Sequence, residues 1–261
     1  MPNTDRMPVM FIGHGSPMNA IESNTWTEGW SALGGRLPKP AAILSISAHW
    51  LTNGGSLVTS NDSPQMNYDM YGFPRELYDY KYPAPGDPAL AEEISSLLRG
   101  ALPVYGDSQW GFDHGVWVVL KRLYPDAQIP VLQLSIDYSR PAVFHYELAK
   151  RLTPLRSKGV LIMGSGNLVH NLARRTNTKN APHDWALEFD EKMAKSVLSG
   201  DHQAVIDFQS LGKLAELAHP TYDHFLPLIY ALGLKTEKDE VTSMLEGFQG
   251  PSISMRSFMI A

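Results

Sequence analysis

The 261-residue chain contains no cysteine. Disulfides, thiolate metal sites and cysteine nucleophiles are thereby excluded, and any metal must be held by nitrogen and oxygen. Basic residues are also few. Lys and Arg number 22 against 27 Asp and Glu, a formal charge of −5, and no basic cluster occurs. A nucleic-acid partner, whose phosphates demand many cations, is not expected. No apolar run approaches the ~18 residues of a membrane span. The opening Met1-Pro-Asn-Thr-Asp-Arg6 holds no apolar signal region. A soluble, cytoplasmic protein without membrane attachment is expected. Phosphate-cradling loops are missing too: Gly13-x-Gly15 lacks the third glycine at the required spacing, and no Walker sequence is present. Nor does Gly13-His-Gly-Ser-Pro17 centre its serine as a nucleophile elbow does.

What is present is a globular composition, 43% hydrophobic, read as one domain over residues 1–261. Its unusual feature is where the histidines fall. The apolar run Pro8-Val-Met-Phe-Ile12 stops at Gly13-His14-Gly15-Ser16-Pro17, the pattern of a short buried strand and its exit turn. Ala41-Ala-Ile-Leu-Ser-Ile-Ser-Ala-His-Trp50 repeats it and ends on His49. Gly159-Val-Leu-Ile-Met163 runs into Gly164-Ser-Gly-Asn-Leu-Val-His170, where Gly164 and Gly166 suit a tight strand exit. Gln128–Ile136 is a further strand, and the alternating tail Ser252–Phe258 a last one. In an open α/β sheet, ligands sit beyond the carboxyl ends of the strands. His14, His49 and His170 would share that edge.

Between the strands lie amphipathic helices. Asp87-Pro88 caps one that ends at Gly100, a second starts near Ser139, and Ala186–Val197 forms a third. Asp113 is placed to cap a helix before Pro125, so His114 falls in its first turn. There the dipole favours a neutral imidazole able to donate a hydrogen bond to a developing anion. His224 stands near the start of a helix that tolerates Pro227 only in its first turn. His145 and His183 read as solvent-facing or helix-start residues, and His219 as a loop residue. Residues 61 to 86 carry Tyr68, Tyr71, Phe73, Tyr78, Tyr80 and Tyr82. So aromatic a loop is either packed on the surface or walls a planar substrate.

The expected architecture is therefore α/β, a central mostly parallel or mixed sheet flanked by helices. Dispersed histidines without cysteine suggest one divalent metal per chain, Fe(II) or Zn(II), in a nitrogen-rich site. The residues by themselves leave the reaction open.

The combination of strings is more specific than its parts. Gly13-His-Gly-Ser-Pro-Met18, Ser47-Ala-His-Trp50, Tyr82-Pro-Ala-Pro-Gly86 and Trp110-Gly-Phe-Asp-His-Gly115 resemble the class III extradiol ring-cleaving dioxygenases. With Gly164–Asn171 and Asp223-His-Phe-Leu-Pro227, the chain is similar to the 4,5-DOPA extradiol dioxygenase branch. The resemblance implies metal-dependent insertion of O2 into a small catechol such as DOPA. It implies His14 and His49 as metal ligands, His224 as the third where distant members carry glutamate, His170 as the base, and His114 as a residue steering substrate or oxygen. A six-coordinate iron holding catecholate and O2 has three positions left for those ligands. His170 then stands outside during turnover, and can swing in as a fourth ligand to zinc when substrate is absent. Two other readings are a zinc hydrolase, in which the aromatic loop and His114 have no clear role, and a non-catalytic binding protein on the same fold.

Overall fold

The computed structural model describes residues 6–175 and 181–261. Most of the N-terminal stretch read for a signal region lies outside them. The strands are β1 Val9–Gly13, β2 Ala42–Thr52, β3 Ser56–Thr59, β4 Val104–Asp107, β5 Val131–Asp137, β6 Val160–Gly166, β7 Val241–Leu245 and β8 Ser257–Ile260. They form one eight-stranded sheet in the order β4-β3-β5-β2-β6-β1-β8-β7. The four central strands, β5, β2, β6 and β1, are mutually parallel. Antiparallel contacts at β3, β8 and β7 make the whole sheet mixed.

The helices are α1 Thr25–Gly34, α2 Arg75–Asp79, α3 Pro88–Leu98, α4 His114–Leu123, α5 Ala142–Lys150, α6 Asp184–Ser199, α7 His202–Ile206, α8 Lys213–Ala218 and α9 Leu226–Gly233. Alternate strand residues feed two cores. Phe11, Leu44, Leu134 and Ile162 pack with α3, α5, α6 and α9 on one face. Met10, Ile12, Leu161 and Met163 meet Trp30 of α1 and Trp117 of α4 on the other. Buried on both sides, the central strands read as near-continuous apolar runs. Each fully buried large side chain contributes about 1.5–3 kcal/mol.

Several sequence expectations shift. β2 does not stop at His49 but continues to Thr52, and its pairing with β5 slips so that residues 47–50 face Ser135 alone. That irregularity carries His49 out of the regular ladder, as bulges beside functional sites do. The last strand begins at Ser257, because Ile253 and Ser254 instead make single bridges to His170 and Phe248. Asp113 holds the position before α4 without capping it. Its buried carboxylate turns inward to accept from Ser47 Oγ at 2.8 Å and Gln133 Nε2 at 2.7 Å. His145 is fully buried, paired with Tyr230 Oη at 3.0 Å, and His219 is buried against Leu168 O at 2.8 Å. Gly164 and Gly166 lie within β6 and serve close approach. A Cβ at Gly166 would meet His224 O at 2.2 Å, and one at Gly164 would meet Pro227 O at 2.4 Å.

Two outcomes follow from this packing. Gly166→Ala should push the 224–227 backbone off β6 and cost on the order of 1–3 kcal/mol in a urea titration; an unchanged midpoint would contradict the close approach. Burial lowers the His145 pKa from 6.5 to about 4. The unfolded chain therefore takes up a proton below pH 6.5 that the folded chain refuses until about pH 4. Stability should fall through that window by roughly 3 kcal/mol from this residue. A His145→Phe variant should show a shallower loss over the same range, and an identical slope would refute the assignment.

Candidate active site

The carboxyl ends of β1, β2 and β6 and the N-terminus of α9 converge on a cavity of about 380 Å3 lined by His14, His49, His114, His170 and His224. A second, larger hollow of about 670 Å3 near Lys121 and Tyr124 contains no histidine. Five of the nine histidines in the chain thus meet in one place.

Each is delivered by a different local cause. His14 follows β1, and its N–H continues the strand pairing to Gly166 O at 3.1 Å. The next residue, Gly15, has φ +62, which lets the chain turn sharply into the short helical turn Pro17–Ala20. His49 rides on the β2 irregularity. His224 is set against β6, where Asn167 N donates to His224 O at 2.9 Å. His170 lies at the end of the turn after β6, held by its N–H to Ala218 O at 3.0 Å. His219 supports the same turn through Leu168 O.

Hydrogen-bond partners assign the imidazole tautomers. Ser165 Oγ donates to Gly115 O at 2.5 Å, so it can only accept from His14 Nδ1–H at 3.0 Å. Asp223 Oδ2, acceptor-only when ionised, takes His224 Nδ1–H at 2.5 Å. Asp69 Oδ2 lies 3.4 Å from His49 Nδ1. In His14 and His224 the proton is therefore on Nδ1 and the lone pair on Nε2. Ring nitrogens of His14, His49 and His224 lie within 4.8 Å of one another, with His14 Nε2 and His49 Nε2 only 3.1 Å apart. His224 Nε2 is buried with no hydrogen-bond partner among the described residues. A cation at this point would satisfy the unpartnered His224 Nε2 and the closely approaching His14 and His49 nitrogens together. The donor set therefore fits a divalent metal, and the Nδ1–H bonds of His14 to Ser165 and of His224 to Asp223 are outer contacts of the kind that orient metal-binding imidazoles.

Electrostatics keep these rings neutral. Burial, reinforced by the neighbouring histidines, holds His14 and His224 well below the usual imidazole range. Burial and His114 bring His49 to about 3, although Asp69 opposes the shift. Burial and His219 bring His170 to about 4. Metal binding would then displace no imidazolium proton near neutral pH.

His170 belongs to neither of the histidine and carboxylate groups whose ligand atoms cluster. Its ring lies flat on His224, centroids 3.5 Å apart and planes 6° apart. His114 stands beside His49 with ring centroids 4.0 Å apart. Its Nδ1 is engaged with Asp69 Oδ2 at 3.0 Å. With Nδ1 so engaged, Nε2 is the ring nitrogen left to face the cavity.

The aromatic loop divides between its two expected roles. Tyr71 and Phe73 line the cavity. Tyr68 and Tyr80 instead pack on Trp117, and Tyr82 is buried with its hydroxyl on Tyr124 O at 2.9 Å. Sequence reasoning missed Asp69 altogether, since an aspartate in an irregular loop carries no periodic or spacing signal. No helix among the described residues is long and apolar enough to cross a membrane.

The chain matches, over residues 9–259, the family model described as the catalytic LigB subunit of aromatic ring-opening dioxygenase. It is 43% identical over 265 residues to the 4,5-DOPA dioxygenase extradiol of Escherichia coli K12, covering 99% of this chain and 96% of that one. The Beta vulgaris protein of the same name is 38% identical, with 95% and 94% covered. A solved structure of an uncharacterized protein from Escherichia coli K12 superposes with a TM-score of 0.85 at 40% identity, covering 98% of this chain and all of that one. A histidine-lined cavity at the carboxyl edge of a mixed α/β sheet, together with a match spanning nearly the whole sequence, places this chain in the family of aromatic ring-opening extradiol dioxygenases.

Proposed function

We propose that the enzyme opens the ring of a small catechol with a polar side chain, of which DOPA is the nearest example, using one Fe(II) bound by His14, His49 and His224. The observation that carries this reading is the convergence of ring nitrogens from His14, His49 and His224, with His14 and His224 each oriented by an Nδ1–H bond on the far side of the ring. DOPA enters because relatives at 36–43% identity carry its name. When bound, the metal supplies Lewis acidity toward the catechol oxygens and a redox-active centre for O2, which favours iron over redox-inert zinc. The family match weighs against the hydrolase and the non-catalytic binding reading. A cytoplasmic setting, with catechol and O2 as partners, completes the proposal.

The remaining steps belong to side chains. His170 is neutral at physiological pH because burial disfavours its cation. It can therefore take a proton from a catechol hydroxyl onto a ring nitrogen, and its position on the face of His224 keeps it beside the ligand set without belonging to it. His114 Nε2 accepts a hydrogen bond from the second hydroxyl or from a protonated intermediate. Tyr71 and Phe73 provide an aromatic wall on which a ring can stack, worth about 0.5–1.5 kcal/mol beyond area burial. Leu172 and Ile253 add apolar lining to the same cavity.

Replacing His14, His49 or His224 by Ala should lower metal content, measured by elemental analysis after anaerobic Fe(II) loading. Full occupancy in all three variants would eliminate the site. His170→Gln should keep its metal and lose about 10²–10⁴ in kcat. A nitrocatechol, which arrives already ionised, should escape part of that loss, whereas a metal-free His170 variant would reassign His170 as a ligand. The overall reaction is tested by an oxygen electrode and a panel of catechols. Stoichiometric O2 uptake with a yellow ring-opened product is expected, and no uptake with any catechol would defeat the proposal.

A further inference from the structure

The aromatic loop reaches the histidine cluster through one carboxylate. Met66 bridges Phe112 in parallel, with Phe112 N on Gln65 O at 2.8 Å and Asn67 N on Phe112 O at 2.7 Å. This approach requires glycine at 111, where a Cβ would overlap Gln65 O at 1.7 Å. The loop is thus pinned just before α4, and Asp69 is delivered to the N-terminus of that helix. There Asp69 Oδ1 accepts from His114 N at 2.9 Å, doing the capping that Asp113 leaves undone. Asp69 Oδ2 accepts from His114 Nδ1 at 3.0 Å and lies 3.4 Å from His49 Nδ1. One oxygen therefore bonds one imidazole and stands close to a second, on two different elements of the fold.

We infer that Asp69 is a positioning residue that sets the tautomer of both His49 and His114 while fastening the loop bearing Tyr71 and Phe73 to the same two rings. An ionised carboxylate has no proton to give, so it admits only Nδ1–H at each partner. Both Nε2 lone pairs then face the cavity, one toward the ligand set and one toward the substrate space. The loop wall and the orientation of the histidines are consequently a single unit. Displacing the loop removes the partner of both rings.

The inference does not require that the metal reading be correct, because its first readout uses metal-free protein. Long-range 1H–15N spectra of the 15N-histidine-labelled wild type should show His49 and His114 predominantly as Nδ1–H tautomers. In Asp69→Asn the amide oxygen can keep the cap on His114 N, but the NH2 group now faces Nδ1. The proton at His114 should move to Nε2, with thermal stability close to wild type. Affinity for Zn(II), measured by competition with a chelator, should fall about 10–100-fold, the usual effect of removing an outer partner of a metal-binding histidine. With catechol, the loss should fall on kcat more than on KM, and Asp69→Glu should restore part of both. Nε2–H tautomers in the wild type would overturn the inference even if no variant folded. So would an Asp69→Asn protein with unchanged histidine spectra and unchanged Zn(II) affinity. Wild type that shows the stated tautomers but binds no metal would instead defeat the metal reading and leave the assignment of Asp69 intact.

Discussion

The structure turns on the close approach of three buried imidazoles. His14 Nε2 and His49 Nε2 approach to 3.1 Å, and His224 Nε2 is buried beside them without a partner. The Nδ1–H bonds of His14 to Ser165 and of His224 to Asp223 place those protons on the far sides of the rings, and burial disfavours imidazolium. Holding ring nitrogens toward one point before any ligand arrives means that little rearrangement is needed when a cation binds. Such preorganisation is what separates a metal site from a group of buried histidines.

Holding that arrangement requires a rigid frame, and the central sheet supplies it. Ser165 belongs to β6, between β1 and β2, so the residue that orients His14 sits on the strand separating the two histidine-bearing strands. Beneath His49, Ser47, Asp113 and Gln133 form a buried polar network that ties β2, the start of α4 and β5 together. Burial and the charge of Asp69 raise the Asp113 carboxyl to about 6. That cost is offset by hydrogen bonds, and a satisfied buried network of this kind specifies one arrangement of the elements around it. Gly115 completes the frame: a Cβ there would meet Ser47 Oγ at 2.9 Å and His49 Cδ2 at 3.1 Å.

Around the rigid centre the cavity rim is much less constrained. Tyr71 is 92% exposed and Leu172 59% exposed, although both line the cavity. A substrate ring entering between them would cover apolar surface that now faces water, so binding gains there without disturbing the buried histidines. The division of labour is physical. Chemistry needs fixed nitrogen geometry and sits on strand ends, while recognition needs accessible surface and sits on loops.

Apolar runs ending in His14, His49 and the Gly164–His170 turn were enough to place three histidines on one sheet edge, because buried parallel strands announce themselves by composition and ligands gather at their carboxyl ends. Pro227 likewise marked the helix start beside His224. Local sequence could not show that His145 and His219 are buried, since one polar residue on an amphipathic stretch looks the same whether it meets water or Tyr230. It could not show that Gly164 and Gly166 serve contact with residues 224–227, some sixty positions away, nor that β2 slips register around His49. Asp69 and Asp113 make the sharpest case. By sequence, Asp113 precedes the helix and should cap it; in three dimensions Gln133 and Ser47 claim its carboxylate, and Asp69 caps instead from another part of the chain. Which histidines meet at the cavity was therefore written largely in local pattern, whereas which nitrogen of each ring faces it was decided only by folding, because a ring's orientation is set by the partner across space and not by the neighbour along the chain.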